Sequence, residues 1–133
     1  MAGVSDDLVV FLNARLDEDE AVARLAAREG GTWTLDGPGA SSLISSLGGA
    51  VVYDEGAPDE NQAPHIARHD PARVLREVGA KRAIVARYGS LPFVTNLGEH
   101  LQRSQEQVGL GYAIRLLAAI YSDHPDYRPE WKP

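Results

Sequence analysis

His69-Asp70-Pro71 constrains what this 133-residue chain can fold into more than any other stretch of it. Proline holds its own φ near the helical value and lacks the N–H that the first turn of a helix leaves unpaired, so it suits the first helical position. An aspartate just before it can accept hydrogen bonds from the exposed N–H groups of that turn. A helix therefore begins at Pro71. Val74, Leu75, Val78, Val85 and Tyr88 follow along one face, which predicts a helix over about 71–88. Just upstream, Pro64-His65-Ile66-Ala67-Arg68 reads as a short helix, giving a helix-turn-helix pair around Asp70-Pro71.

The flanking segments read by the same rules. Ser5 is placed to cap a first helix, with Asp6 and Asp7 at the positive end of its dipole. Leu8, Leu12 and Leu16 recur every four residues, and Val22, Leu25 and Ala26 are expected to resume that stripe, so the helix covers about 5–28 and stops at Gly30-Gly31. Thr32–Leu35 and Ala50–Tyr53 are β-type runs that predict a two-stranded antiparallel hairpin. Between them, 37–42 is a loop and Leu43–Leu47 is open between a helical turn and an extra strand. Residues 54–64 form an exposed connection. Beyond a break at 89–92, Asn96 and Glu99 have capping-box spacing and start a third helix. Its second part, Leu110 to Tyr121, is apolar nearly all round and is expected to be the central core element, with Gly109 and Gly111 able to kink it. Two prolines stop the tail from continuing as helix, and Tyr127 and Trp131 are expected to dock it. The expected fold class is α+β: three main helices, a small antiparallel hairpin between the first and second, and a docked C-terminal tail, all in one domain spanning 1–133.

Composition removes whole classes of function. With 44% hydrophobic and 24% charged residues the chain is an ordinary soluble globular protein. The absence of cysteine removes disulfide frameworks, thiolate zinc sites and a cysteine nucleophile. No stretch approaches the length of a membrane span, and the start lacks the basic and apolar regions of a signal peptide, so the expected address is the cytoplasm. The net charge of -6 conceals an asymmetry: residues 1–67 hold 12 acids and three bases, whereas 68–133 hold seven acids and ten bases. Either a basic nucleic-acid surface or mutual neutralisation inside one domain produces such a split, and a pI near 5.1 favours neutralisation.

The run His65–Val78 (HIARHDPARVLREV), the closing Tyr121-Ser122-Asp123-His124-Pro125-Asp126-Tyr127 with Trp131, and the opening Asp7–Glu20 region resemble a family of short uncharacterised actinobacterial and actinophage proteins, a domain of unknown function. The resemblance covers roughly half the chain. It implies membership and no activity. Members often carry cysteines shortly before the final helix, whereas this chain reads Gln105–Gly111 without one, which argues against a thiolate site here. The strand, loop and capped-helix layout is also similar to small accessory proteins of tailed phages, implying a mobile-element origin.

Four groups of residues are candidates for binding. His65 and His69 are four apart, the spacing of paired zinc ligands on a helix, and His124 or Asp123 is the candidate third ligand, giving a His-His-His or His-His-Asp set. The plainer reading packs His69 against the helix start and leaves His65 on the surface. Asp70 and Arg73 mark the helix start itself, with a cap worth about 1 kcal/mol as the plain role of Asp70. Asp123 and Asp126 flank His124, with Tyr127 and Trp131 beside them. Lastly, Arg68, Arg73, Arg76, Lys81, Arg82 and Arg87 give the 68–87 helix a local excess of positive charge able to track phosphates. The alternative partners for these bases are the acidic first helix and, through i,i+4 pairs, Glu77. No nucleophile-base pattern or phosphate loop is present, so no catalytic residue is expected. The sequence therefore points to a non-enzymatic accessory or protein-interaction domain that self-associates or binds another protein, ahead of a nucleic-acid-binding regulator using the basic 68–87 helix or a small metal-dependent enzyme using His65, His69 and His124.

Overall fold

The structure, a computed structural model, describes residues 4–35, 44–52, 58–90 and 96–133. The element order is α1 (Val4–Ala26), β1 (Thr34–Leu35), β2 (Ile44–Ser46), β3 (Gly49–Val52), α2 (Gln62–Arg68), α3 (Pro71–Gly89), α4 (Leu97–Ala119) and a terminal 3-10 turn (Pro129–Trp131). The class is α+β as expected, and the described residues hold three long helices and, as a fourth, the short one expected at Pro64–Arg68. This short helix begins earlier than Pro64. Asp59 Oδ1 accepts from Gln62 N at 2.8 Å while Gln62 Oε1 accepts from Asp59 N at 3.2 Å, a reciprocal capping box within the supposed exposed connection.

The sheet also departs from expectation. Thr34–Leu35 does not pair with the run after Gly49; both flank Ile44–Ser46, giving the antiparallel order β1-β2-β3. The segment that was open between a turn and a strand is thus the central strand. Its Ile44 is fully buried and crosses to β3 through the Leu47-Gly48 turn. That turn requires glycine: Gly48 N donates to Glu29 O at 2.8 Å, and a Cβ at Gly48 would lie 2.5 Å from the same oxygen. The loop at 37–42, Leu43 and Tyr53 lie outside the described residues.

Two compact units divide the chain, one from Met1–Asp17 and Gly79–Pro133, the other from Glu18–Val78. The core of the first joins Leu8, Phe11 and Leu12 of α1, Val85 of α3, Ile114 and Ala118 of α4, and Trp131 of the tail. Leu8, Leu12 and Leu16 form the buried stripe that their spacing predicts. The stripe does not resume at Val22, Leu25 and Ala26, which are exposed. Two helical turns beyond Leu16 the aligned position is residue 23, and Ala23 is the buried side chain there. The helix itself starts at Val4, so Ser5 falls within its first turn instead of ahead of it, and it ends at Ala26, with a turn carrying the chain to Gly30 at φ 121°.

The second unit is held around the Asp70 cap. Asp70 is 8% exposed; its Oδ1 accepts from Arg73 N at 2.8 Å and its Oδ2 from Trp33 N at 3.1 Å. Ala72 N donates to Gly31 O at 2.9 Å, so the start of α3 is tied twice to the segment leading into β1. Asp70-Pro71 thus orders a helix and anchors the strand region with the same carboxylate.

α4 is where expectation and structure part most clearly. Asn96 caps it, with Oδ1 accepting from Glu99 N at 2.8 Å, and it runs unbroken through Gly109 and Gly111. Its second part, from Leu110, is not the all-round buried element its composition predicts. Only Ile114 and Ala118 are fully buried, whereas Leu97, Leu101, Val108, Tyr112, Leu116 and, just past its end, Ile120 are exposed. Large apolar side chains all round a helix lead to full burial only if neighbours exist on every side, and α1 and α3 supply the core on one side.

Candidate functional site

Three places bring candidate residues together. In the second unit, His65 and His69 stack at the end of α2 with ring centroids 4.3 Å apart, and His69 Nδ1 lies 2.7 Å from the His65 carbonyl oxygen, to which it donates. Both are exposed, so His69 does not pack into the helix start; it closes the last turn of α2, whose orphan carbonyls need donors. One ring nitrogen of His69 is thereby committed. Arg73 turns along its own helix, Nε 2.8 Å from Glu77 Oε1, with Nη1 reaching Arg68 O at 3.4 Å. Beside this corner lies a shallow cavity of about 340 Å³, walled by Val22, Trp33, Pro71 and Val74, with Asp19 and His69 as its polar members.

In the first unit, the C-terminal tail folds onto α1. Trp131 is 2% exposed and its ring centroid is 5.0 Å from that of Phe11; His124 and Tyr127 approach the same ring edge-on at 5.7 and 6.1 Å. Arg15, one turn after Phe11, lays its guanidinium over the ring at 5.3 Å and points Nη1 at His124, 2.9 Å from Nδ1 and 2.5 Å from Nε2. Asp126 N also donates to His124 Nδ1 at 3.1 Å, and the Asp126 carboxylate stands 4.0 Å from both Arg15 and His124. Arg128 closes the arrangement with an ion pair to Asp7 at 2.9 Å and a stack on Trp131 at 5.3 Å. Tyr127 and Trp131 anchor the tail as their size predicts. Arg15 and Phe11 went unremarked as a pair in the sequence, although an aromatic and an arginine four apart on a helix is a readable signal.

These contacts give His124 and Asp126 structural partners. Among the described residues, no group of three or more His, Asp or Glu side chains is placed to hold a metal ion. The basic helix is similarly engaged. Arg82 Nη2 meets Asp17 Oδ1 of α1 at 2.7 Å, one of the neutralising contacts the charge asymmetry predicts. Arg87 Nε meets Glu106 Oε1 of α4 at 2.7 Å, and the hydrogen bond and charge of that carboxylate raise the Arg87 pKa above its ordinary value. Arg68 and Arg76 are exposed.

The third place is the outer side of α4. At about 100° per residue, Leu97, Leu101, Val108, Tyr112, Leu116 and Ile120 fall within a sector of about 140°, opposite the buried Ile114 and Ala118. An open groove of about 520 Å³ runs beside this stripe, with Tyr88 and Leu8 on one wall and Ser104, Val108, Gly111 and Tyr112 of α4 on the other. Summed over two runs, Leu97 with Leu101 and Val108 to Ile120, the six residues expose on the order of 650 Å², comparable with the 300–600 Å² of the largest patch on a typical monomer. Of this stripe, Tyr112, Leu116 and Ile120 lie in the Leu110–Tyr121 segment expected to be core, because periodicity reports apolar faces without saying which face is covered.

The model of a family of unknown function, DUF6221, matches residues 5–133. No curated protein and no solved structure matches the chain. No helix among the described residues is long and apolar enough to cross a membrane.

Proposed function

We propose that this chain, which belongs to the DUF6221 family, is a cytoplasmic accessory or protein-interaction domain of actinobacterial or actinophage origin that acts by self-association. The observation that carries this reading is the second apolar face of α4, six large side chains exposed on the side away from the core. A face of that size left in water is costly, by about 25 cal/mol per Å² of apolar area, and burying it against a like surface recovers that free energy. Helix continuity supports treating the two units as one domain, since α1 and α3 each supply residues to both. The HIARHDPARVLREV and YSDHPDY stretches support the proposed origin.

Against an enzymatic or nucleic-acid role stand the contacts already made. His124 is engaged by Arg15 and Asp126, and His69 by the end of α2. Three arginines of the 68–87 helix are in ion pairs with Glu77, Asp17 and Glu106, leaving less positive charge for phosphates. Size-exclusion chromatography with light scattering, over about 1–100 μM, tests the proposal in the range where a micromolar dimer dissociates. A concentration-dependent dimer mass that Val108→Glu reduces to monomer is expected. A strict monomer at the highest concentration overturns it.

A further inference from the structure

Resting on that self-association, we propose that two copies pair through α4 in antiparallel fashion, about a two-fold axis at Val108-Gly109, with Tyr112 of each copy as the aromatic anchor. The exposed stripe runs from Leu97 to Ile120, so its midpoint is the Val108-Gly109 turn, and the groove beside it, lined on α4 from Ser104 to Arg115, spans that turn. A two-fold axis placed there lays the stripe over itself end to end, which is what a self-complementary interface requires.

Charge selects the direction. The charged residue on the exposed side is Arg115, which also lines the groove. In a parallel pair the two Arg115 guanidinium groups would face each other. In the antiparallel pair they stand about 20 Å apart, at 1.5 Å of rise per residue on either side of the axis, and each meets Gln102 of the second copy, an uncharged acceptor. The half of α4 before the axis holds Glu99, Arg103 and Glu106, and the half after it holds Arg115, so antiparallel pairing opposes a net negative half to a positive one. The helix dipoles favour the same direction.

The contact is close and large enough to hold. Nothing lies within 4 Å of the position a Cβ would take on Gly109, so at the axis one helix presents bare backbone to the other. Buried in full, the two stripes offer at most about 1,300 Å², which reaches the low end of the range of about 1,200–2,000 Å² buried by specific interfaces. Tyr112, the one aromatic of the stripe, falls opposite Gln105 of the second copy, beside the Ser104 end of its groove, and tyrosine is among the residues that carry most interface energy.

Because the chain has no cysteine, single-cysteine variants of the full chain oxidised with oxidised glutathione read the geometry directly. Gly109→Cys is expected to give a disulfide-linked dimer in high yield, Leu97→Cys alone to give little, and an equimolar mixture of Leu97→Cys and Ile120→Cys to give mixed dimer, since their Cα atoms approach bridging distance only when the helices run in opposite directions. Leu47→Cys, on the exposed turn of the sheet, measures random collision. Efficient linkage of Leu97→Cys to itself, with none in the mixture, overturns the antiparallel geometry while leaving self-association standing. Linkage of every variant at the Leu47→Cys level, with dimer mass still seen by light scattering, overturns α4 as the contact. Tyr112→Ala is expected to weaken the dimer at least tenfold; unchanged dissociation overturns its role as anchor.

Discussion

Arg15 Nη1 lies 2.9 Å from His124 Nδ1, linking the middle of α1 to a tail 109 residues further along the chain. Asp126 N–H donates to the same Nδ1 at 3.1 Å, and Arg15 Nη1 also lies 2.5 Å from Nε2, so the guanidinium faces both ring nitrogens. Arg15 is 8% exposed and spreads over Phe11, so one side chain holds both the tail and the aromatic cluster beneath it.

The tail is therefore expected to be part of the folding unit. Trp131→Ala should lower stability by about 3–5 kcal/mol, the range for a buried tryptophan. Trp131→Phe should cost less, because the indole N–H is buried with no acceptor among the described residues and its removal relieves that cost. Arg15→Ala should cost about 1–3 kcal/mol, and Arg15→Lys should recover little, since a point charge cannot both stack on Phe11 and reach His124. Urea unfolding followed by tryptophan fluorescence measures all four; an Arg15→Ala midpoint equal to that of the parent chain would remove the role given to Arg15.

Asp70 is expected to matter through two hydrogen bonds from different parts of the chain. Asp70→Ala loses the cap and leaves Trp33 N–H without its acceptor, at a cost of about 1–3 kcal/mol. Asp70→Asn keeps one carbonyl oxygen, so it should fall between the two. Amide exchange separates the effects: in Asp70→Asn, protection at Arg73 should survive better than at Trp33. Equal loss at both amides would show that the carboxylate acts as a unit rather than as two separate acceptors.

Gly48→Ala should destabilise the sheet by about 1–3 kcal/mol, because its methyl group would overlap the Glu29 carbonyl oxygen that Gly48 N–H and Ser46 Oγ–H share. Leu47→Ala, at the fully exposed neighbouring position, should stay within about 0.5 kcal/mol. Thermal unfolding of the pair decides the matter, and equal melting temperatures would mean that the close approach is absent in solution.

Which features were readable in advance follows a physical division. The caps of Asp70 on Arg73, Asn96 on Glu99 and Asp59 on Gln62 each join residues three apart, so local sequence contains them, whereas the second bond of Asp70, from Trp33 N, spans 37 residues and is not local; the Asp59-Gln62 box resembles a polar connection in sequence. The buried stripe of α1 was readable up to Leu16, where strict spacing ends. Strand pairing was not: Thr34–Leu35 and Gly49–Val52 look alike in pattern, and their common neighbour is set by where Ile44 is buried. For the candidate sites, the docking of Tyr127 and Trp131 could be inferred from size and hydrophobicity. The contacts of His124 could not, because Arg15 lies 109 residues away.

Sequence alone determined the α+β class, the starts of α3 and α4, the absence of thiol chemistry and the presence of a large aromatic tail, since each depends on residue identity or on contacts one helical turn long. Only the tertiary structure decided that α4 covers one apolar face and exposes the other, because burial depends on which elements pack against a helix, and the same leucines and valines satisfy the helical pattern on either side.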